Sequence, residues 1–373
     1  MKKRGAPIQE QRDRELLTLI RKGTNYHRVM TSENSPATFT FADLFAGIGG
    51  MRLAFEALGG ECVLTSEIDQ NALKTYVANF DAGPKHIYVN DVNQISTSHF
   101  SQLNGPLDIL VAGFPCQPYS IAGLRKGLED DRGGEIFNSL VRILSQVQPR
   151  SFLLENVKGI RSHDDGKTFE YMLNRLSEVG YILKHETLNS ATHGNVPQNR
   201  ERVFIVGFRE DAPASNFSFP DPVPLNRTFR ELLDGNVDSK FYYDERFGSF
   251  SEIKSKVVSR ESVYQWRRQY VRENKSGVCP TLTANMGSGG HNVPLIIDEL
   301  GVRKLTPRET ARLQGFPESF LLPNLADSHL YHQFGNSVTV PLIESLAGQI
   351  VKALKSRGLN VDRRQLGRVQ KAC

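Results

Sequence analysis

From Phe39 to Phe208 short apolar runs alternate with stretches of helical periodicity, and that rhythm constrains the fold more than any other feature. The apolar runs are 39–45, 61–66, 86–89, 107–113, 151–156, 182–189 and 202–208. Helical spacing fills 50–58, 70–79, 135–147 and 168–179. Strands alternating with helices of about 10–15 residues predict an α/β fold with a doubly wound, mostly parallel sheet. The last two runs, with polar VPQNRER ahead of RVFIVGF, suggest an antiparallel edge.

A chain of 373 residues exceeds a typical domain of about 100–200 residues, so two domains or one large insertion are expected. Beyond Phe208 the βα rhythm stops, and 209–302 is rich in Pro, Gly, Asn, Ser and charge. This reads as a second, irregular domain. Residues 303–316 (RKLTPRETARLQGF) predict a helix with Thr306 as N-cap, Pro307 at its first position and Glu309 at its third. Residues 337–355 predict a final amphipathic helix that returns to the first domain. The expected organisation is an N-terminal extension (1–38, with a short helix at 8–22), a first domain (39–209 with 331–355), a smaller inserted domain and hinge (210–330), and a basic tail (356–373).

Composition excludes several classes. With 39% hydrophobic and 23% charged residues the chain is globular, neither disordered nor collagen-like. No apolar run approaches the ~20 residues of a membrane span. The N-terminal MKKRGAPIQEQRDRELL has no apolar segment behind its basic residues, so no signal peptide is expected. Cys62, Cys116, Cys279 and Cys373 have no CxxC spacing, which points away from a disulfide framework or a zinc site. A reducing, cytoplasmic setting fits. The net charge of +5 is concentrated at the termini, so bulk charge is a weak argument for nucleic acid. One internal stretch, 254–275, interleaves seven Lys and Arg with Tyr264, Trp266 and Tyr270, a pattern suited to phosphate contact and base stacking or to a solvated helix face.

Several short segments carry chemistry. DLFAGIGG (43–50) follows a strand and opens a helix, so Gly47, Gly49 and Gly50 allow a tight turn close to a ligand. Arg52 occupies the place of the third glycine of a dinucleotide fingerprint, which disfavours pyrophosphate and leaves a nucleoside-type cofactor. Glu67 ends the next strand, where a carboxylate accepts from ribose hydroxyls, and Asp91 follows the third. GFPCQPYS (113–120) sets Cys116 between stiffening prolines beyond a strand, as a candidate nucleophile. Glycine-rich 121–134 suits a mobile lid. Glu155 closes the apolar run SFLLEN, as a candidate proton donor. QNRER (198–202) places Arg200 and Arg202 on one face of an extended segment. GNSV (335–338) opens the final helix.

Together these segments resemble the C5-cytosine DNA methyltransferase family. Its pattern reads FxGxG, PCQ, ENV, QxRxR, a variable region, RxxTxxExxRxxGFP and GNSV. This chain has DLFAGIGG, GFPCQPYS, ENV (155–157), QNRER, RKLTPRETARLQGFP (303–317) and GNSV in that order across 39–355. The resemblance implies S-adenosylmethionine as cofactor, double-stranded DNA as partner and no metal. It implies Cys116 as nucleophile at cytosine C6, Glu155 at N3 and the exocyclic amine, Arg202 at O2 and Arg200 supporting the adduct. Phe45, Gly47, Gly49, Glu67, Ile68, Asp91, Asn336 and Ser337 would hold the cofactor. Ser120, Arg132 and Thr281 would contact DNA. Ile68 stands where many members have Trp, and Asn90 where many have Gly, which bears on cofactor affinity. The expectation is a site-specific enzyme of a bacterial restriction-modification system, acting as a monomer without a stable protein partner. Two rival readings are a tRNA cytosine-5 methyltransferase and a catalytically inactive DNA-binding regulator.

Overall fold

The structure, a computed structural model, describes residues 37–80, 83, 85–103, 105–115, 131–209, 214–267, 269–286 and 293–355, with 131–133 as backbone only. The expectations for the N-terminal helix at 8–22, for Cys116 and Ser120, for most of the 121–134 segment and for the basic tail fall outside these residues.

The first half runs β1 (Phe39–Leu44), α1 (Gly50–Glu56), β2 (Gly60–Ser66), α2 (Gln70–Asn79), β3 (Ile87–Val89), β4 (Ile109–Gly113), α3 (Asp131–Val147), β5 (Ser151–Val157), α4 (Lys167–Glu178), β6 (Tyr181–Asn189), α5 (Ser190–His193), β7 (Gln198–Asn199) and β8 (Glu201–Arg209). Seven strands form one sheet in the order β3-β2-β1-β4-β5-β8-β6. The first five are parallel, and β8 runs antiparallel to both β5 and β6. The last two runs thus form the expected antiparallel edge, with β6 outermost.

The apolar runs are continuous because helices cover both faces of the sheet. Side chains alternate along each strand: Ile109 and Val111 of β4 join the core with Phe55 of α1, while Leu110 and Ala112 join the core with Phe137 and Leu140 of α3. Each fully buried Leu, Ile or Phe contributes ~1.5–3 kcal/mol.

The second half runs α6 (Phe250–Lys256), β9 (Val263–Trp266), β10 (Val271–Asn274), β11 (Cys279–Pro280), β12 (Pro294–Ile297), β13 (Val302–Lys304), α7 (Pro307–Arg312), α8 (Asp327–Asn336) and α9 (Val340–Lys355). A four-stranded antiparallel sheet, β10-β9-β12-β13, replaces the irregular domain read from 209–302. The basic 254–275 stretch is the end of α6 and the β9–β10 hairpin. Tyr264 and Trp266 are buried with Ile253, Val257, Leu295 and Val302, so they are core rather than stacking platforms. Tyr270 alone of the three aromatics is exposed.

The 303–316 segment is shorter as a helix than its pattern predicts, because Val302–Lys304 pairs with β12. The cap itself is as read: Thr306 Oγ1 accepts from Glu309 N, and Glu309 Oε2 accepts from Thr306 N at 2.7 Å. Glu309 also takes two hydrogen bonds from the buried Arg303, both at 2.8 Å. GNSV does not open the last helix. Gly335 and Asn336 end α8, and Ser337 begins the link to α9. α9 then packs its apolar face against the sheet beside α1, in one core with Phe55.

Gly335 lies directly on the backbone of Thr283 and Ala284: a Cβ there would be 2.2 Å from the Thr283 carbonyl. Gly→Ala inside a helix ordinarily gains ~0.5–1 kcal/mol. At Gly335 the sign should reverse, to a loss of about 1–3 kcal/mol. A Gly335→Ala chain with an unchanged or raised thermal midpoint would refute this close approach.

Candidate active site

The parallel strands β1 and β4 are neighbours whose connections leave in opposite directions, the point beyond whose carboxyl ends open α/β sheets place a ligand crevice. Two groups of residues line up there.

The first group is the turn between β1 and α1. Phe45, Gly47 and Gly49 all have positive φ, at 55°, 56° and 86°. For Phe45 this is a strained conformation, of the kind that persists where surroundings fix it. Ala46 N donates to Ser66 O at 3.0 Å, which ties the turn to the end of β2. Glu67 follows that strand, accepting from Gly47 N at 2.7 Å and from Asp69 N at 2.6 Å. Burial raises the Glu67 carboxyl, and these backbone N–H groups oppose the rise. Ile68 is 65% exposed beside it. Asp91 follows β3, and its carboxylate accepts from Asn93 N at 2.9 Å. Ser337 meets the turn from the other side, since a Cβ on Gly50 would be 2.9 Å from its hydroxyl. Asn336 is exposed and pairs with His332 at 3.3 Å.

The second group lies beyond β4 and β5. Glu155 is paired in register with Gly113. Arg202 Nε reaches Glu155 Oε1 at 3.0 Å, and both side chains are largely buried. Asn156 Nδ2 donates to Phe114 O at 3.2 Å, holding the chain where it leads toward position 116. β8 brings Arg202 across because it runs antiparallel to β5, with Val157 opposite Arg202.

Arg200, expected to support the adduct, is held among backbone carbonyls. It is 2% exposed and donates to backbone carbonyls: Leu282 O at 2.8 Å, Ser337 O at 2.6 Å and Gly335 O at 3.4 Å. Gln198, also fully buried, donates to Leu313 O at 2.6 Å and accepts from Leu282 N at 3.0 Å. Gln314 extends the network to Phe334 O, and Thr339 Oγ1 donates to Gln314 Oε1. Thr281 Oγ1 donates to Asn199 O at 2.6 Å, and β11 pairs with β7. One strand thus fastens the second half of the chain to the first and, two residues on, presents Arg202 to Glu155.

Sequence reasoning passed over Asp43. It is fully buried near the end of β1, and its Oδ2 has no hydrogen-bond partner among the described residues. An acid inside an apolar run was the available signal. Burial pushes its carboxyl up to about 8; the Arg52 charge opposes this, and Glu67 and Glu56 add to the rise.

A doubly wound sheet with a glycine turn over this crevice is the architecture of S-adenosylmethionine-dependent methyltransferases. Solved structures share it: Spodoptera frugiperda DNMT2 at TM-score 0.64 and 22% identity, over 84% of this chain and 99% of that one. A DNA modification methyltransferase encoded within a prophage (E. coli) matches at 0.59 and 24%, over 85% and 99%. More narrowly, the chain belongs to the C-5 cytosine-specific DNA methylases, whose family profile matches residues 39–352. It is 47% identical over 317 residues to the Type II methyltransferase M.Bsp6I of Bacillus sp. (strain RFL6), covering 84% of this chain and 98% of that protein. It is 38% identical over 344 residues to M.HpaII of Haemophilus parainfluenzae, covering 87% and 92%. Among the described residues no helix is long and apolar enough to cross a membrane.

Two measurements check this geometry. Between the ordinary carboxylate range near ~4 and the raised value, the folded chain keeps a proton on Asp43 that the unfolded chain releases. That contribution to stability is full below the lower value and is lost as pH rises through about 8. Asp43→Asn should therefore flatten the fall of thermal midpoint between about pH 5 and about pH 8; a slope equal to the parent's would contradict the assignment. The two arginines should also separate. Arg200→Lys is expected to cost about 1.5–3 kcal/mol of stability through lost charged hydrogen bonds. Arg202→Lys should hold the midpoint close to the parent's and depress turnover instead. Equal thermal losses in both variants would count against the distinction.

Proposed function

We propose that this DNA cytosine-5 methyltransferase acts through a covalent adduct between Cys116 and C6 of a flipped-out cytosine, as the modification enzyme of a restriction-modification system. The Glu155–Arg202 pair carries this reading: a buried ion pair at the carboxyl end of β5, in register with the strand that leads to Cys116.

C5 of cytosine is a poor nucleophile. Addition of the Cys116 thiolate to C6 pushes electrons through the ring, so that C5 gains enamine character. Glu155 faces N3, where negative charge builds, and protonates or hydrogen-bonds it. Arg202 fixes the Glu155 carboxylate and is near enough to the pair to hold O2. Once C5 bears the methyl that the cofactor would supply, loss of the C5 proton to a base or water lets the thiolate leave and restores the aromatic ring. C6 cannot be attacked and N3 cannot be reached inside a stacked, paired duplex, so the base must leave the helix. Ser120, Arg132 and Thr281 are assigned to DNA. The link from Thr281 to Asn199 supports this, because a phosphate held at Thr281 would be registered against the short strand β7 that leads into Arg202.

The residues present fit the cofactor of this family. A Cβ on Gly47 would meet nothing within 4 Å, so the turn leaves open space for a ligand. Glu67 keeps free lone pairs for ribose hydroxyls while its backbone contacts orient it. Phe45 and Ile68 flank the same opening, Asp91 would accept from the adenine amine, and Gly49, Asn336 and Ser337 close it. S-Adenosylmethionine, when bound, supplies an electrophilic methyl on a sulfonium.

Bisulfite sequencing of a plasmid from cells expressing the chain, beside a Cys116→Ser control, tests the whole reading. Methylated cytosines at one short recurring sequence, absent from the control, are expected. Methylation that survives in the control would overturn the adduct. Methyl transfer to tRNA with none to duplex DNA would overturn the substrate.

A further inference from the structure

We propose that Arg52 is a positioning residue that holds the cofactor turn in its binding shape through Phe80. This rests on the assignment of S-adenosylmethionine to that turn. Arg52 is the third residue of α1 and is only 4% exposed. Burying a guanidinium is costly unless it is paired, and Arg52 is paired on several sides. Its Nε donates to Glu56 Oε1 at 2.6 Å and its Nη1 to Tyr76 Oη at 3.1 Å. Its charged end lies over the Phe80 ring, 4.6 Å from the centroid, and 5.4 Å from that of Tyr76. The two rings pack on each other at 4.7 Å.

Phe80 in turn forms a wall of the glycine turn. A Cβ on Gly49 would be 2.2 Å from the Phe80 ring. The turn is thus gripped from two sides: Glu67 takes the N–H of Gly47, and Phe80 fills the space that a side chain at 49 would need. Beneath it, Tyr76 Oη pairs with Thr65 Oγ1 at 2.7 Å, and Thr65 with His86 Nε2 at 3.0 Å, so the ring that Arg52 braces is anchored to β2. An apolar side chain of similar volume would fill the place of Arg52, though it would leave Glu56 without its ion-pair partner. What it would lose is direction. A planar cation with forked donors permits one arrangement of Glu56, Tyr76 and Phe80, whereas an aliphatic chain permits many.

The test is isothermal titration of the full chain with S-adenosylmethionine, with the thermal midpoint of each cofactor-free protein measured in parallel. The variants are Arg52→Met, Phe80→Leu and the double variant. Arg52→Met is expected to weaken binding about tenfold, with some fall in midpoint because Glu56 loses its partner. Phe80→Leu should weaken binding similarly and leaves the buried charge in place, so it reads the same contact even where Arg52→Met folds poorly. Since both act through one contact, the double variant should bind little worse than either single one. Parent-like affinity in a folded Arg52→Met or Phe80→Leu chain, or strictly additive losses, would overturn the proposal. So would a large fall in midpoint with affinity unchanged, which is the signature of a core strut. A parent chain that binds no S-adenosylmethionine would overturn the cofactor reading itself, an outcome distinct from all of these.

Discussion

The buried guanidinium of Arg200 holds the two halves of the molecule in register. Its partners are carbonyls from the segment after β11 and from the end of α8, and carbonyls are fixed by the backbone that bears them. A charge in such a place is tolerated only while its hydrogen bonds are made. The contact therefore specifies one approach of the chains that carry them. Gln198 repeats the device two residues earlier, with one amide reaching both Leu282 and Leu313. Gly335 completes it by removing the side chain that would keep the backbones apart. The Glu155–Arg202 pair depends on this arrangement, because Arg202 belongs to the same extended segment.

Much of this was legible in the residues. The seven strands of the main sheet and the helices between them follow from apolar periodicity, which is strong where both faces of a sheet are covered. The capping residues Thr306, Pro307 and Glu309 are local chemistry and were equally readable. The failures share a cause. Tyr264 and Trp266 looked like nucleic-acid platforms because a basic neighbourhood says nothing about which side of a hairpin is buried. Arg303 read as the start of a helix, because its pairing with Ile296 is made with a strand that the sequence did not mark. The different surroundings of Arg200 and Arg202 were equally out of reach. Spacing puts them on one face, but what that face meets is set by Leu282, Gly335 and Ser337, far away in the chain.

The candidate site shows the same division. Glu67, Asp91 and the glycine turn lie at strand ends, and strand ends are predictable. Asp43 and Arg52 stand within the same motif and drew less notice, because their significance comes from burial. Asp43 is cut off from solvent beneath α1, and Arg52 is enclosed by aromatic rings that arrive from α2. Neither environment is visible in a linear pattern.

The packing of α9 beside α1 has a consequence for how the molecule is made. These helices come from opposite ends of the described chain, yet they cover the same face of the main sheet. As the chain emerges from a ribosome, the part of that face beside the early helices stays uncovered until the second half of the chain has been synthesised. The early product is a sheet with one finished side and one wet, apolar side. Closure is thus topologically a circle, with the second half looped out between two pieces of a single core. Such a chain should tolerate a break within the loop better than the loss of its last helix, and two fragments parted there would carry complementary apolar faces by which to find each other.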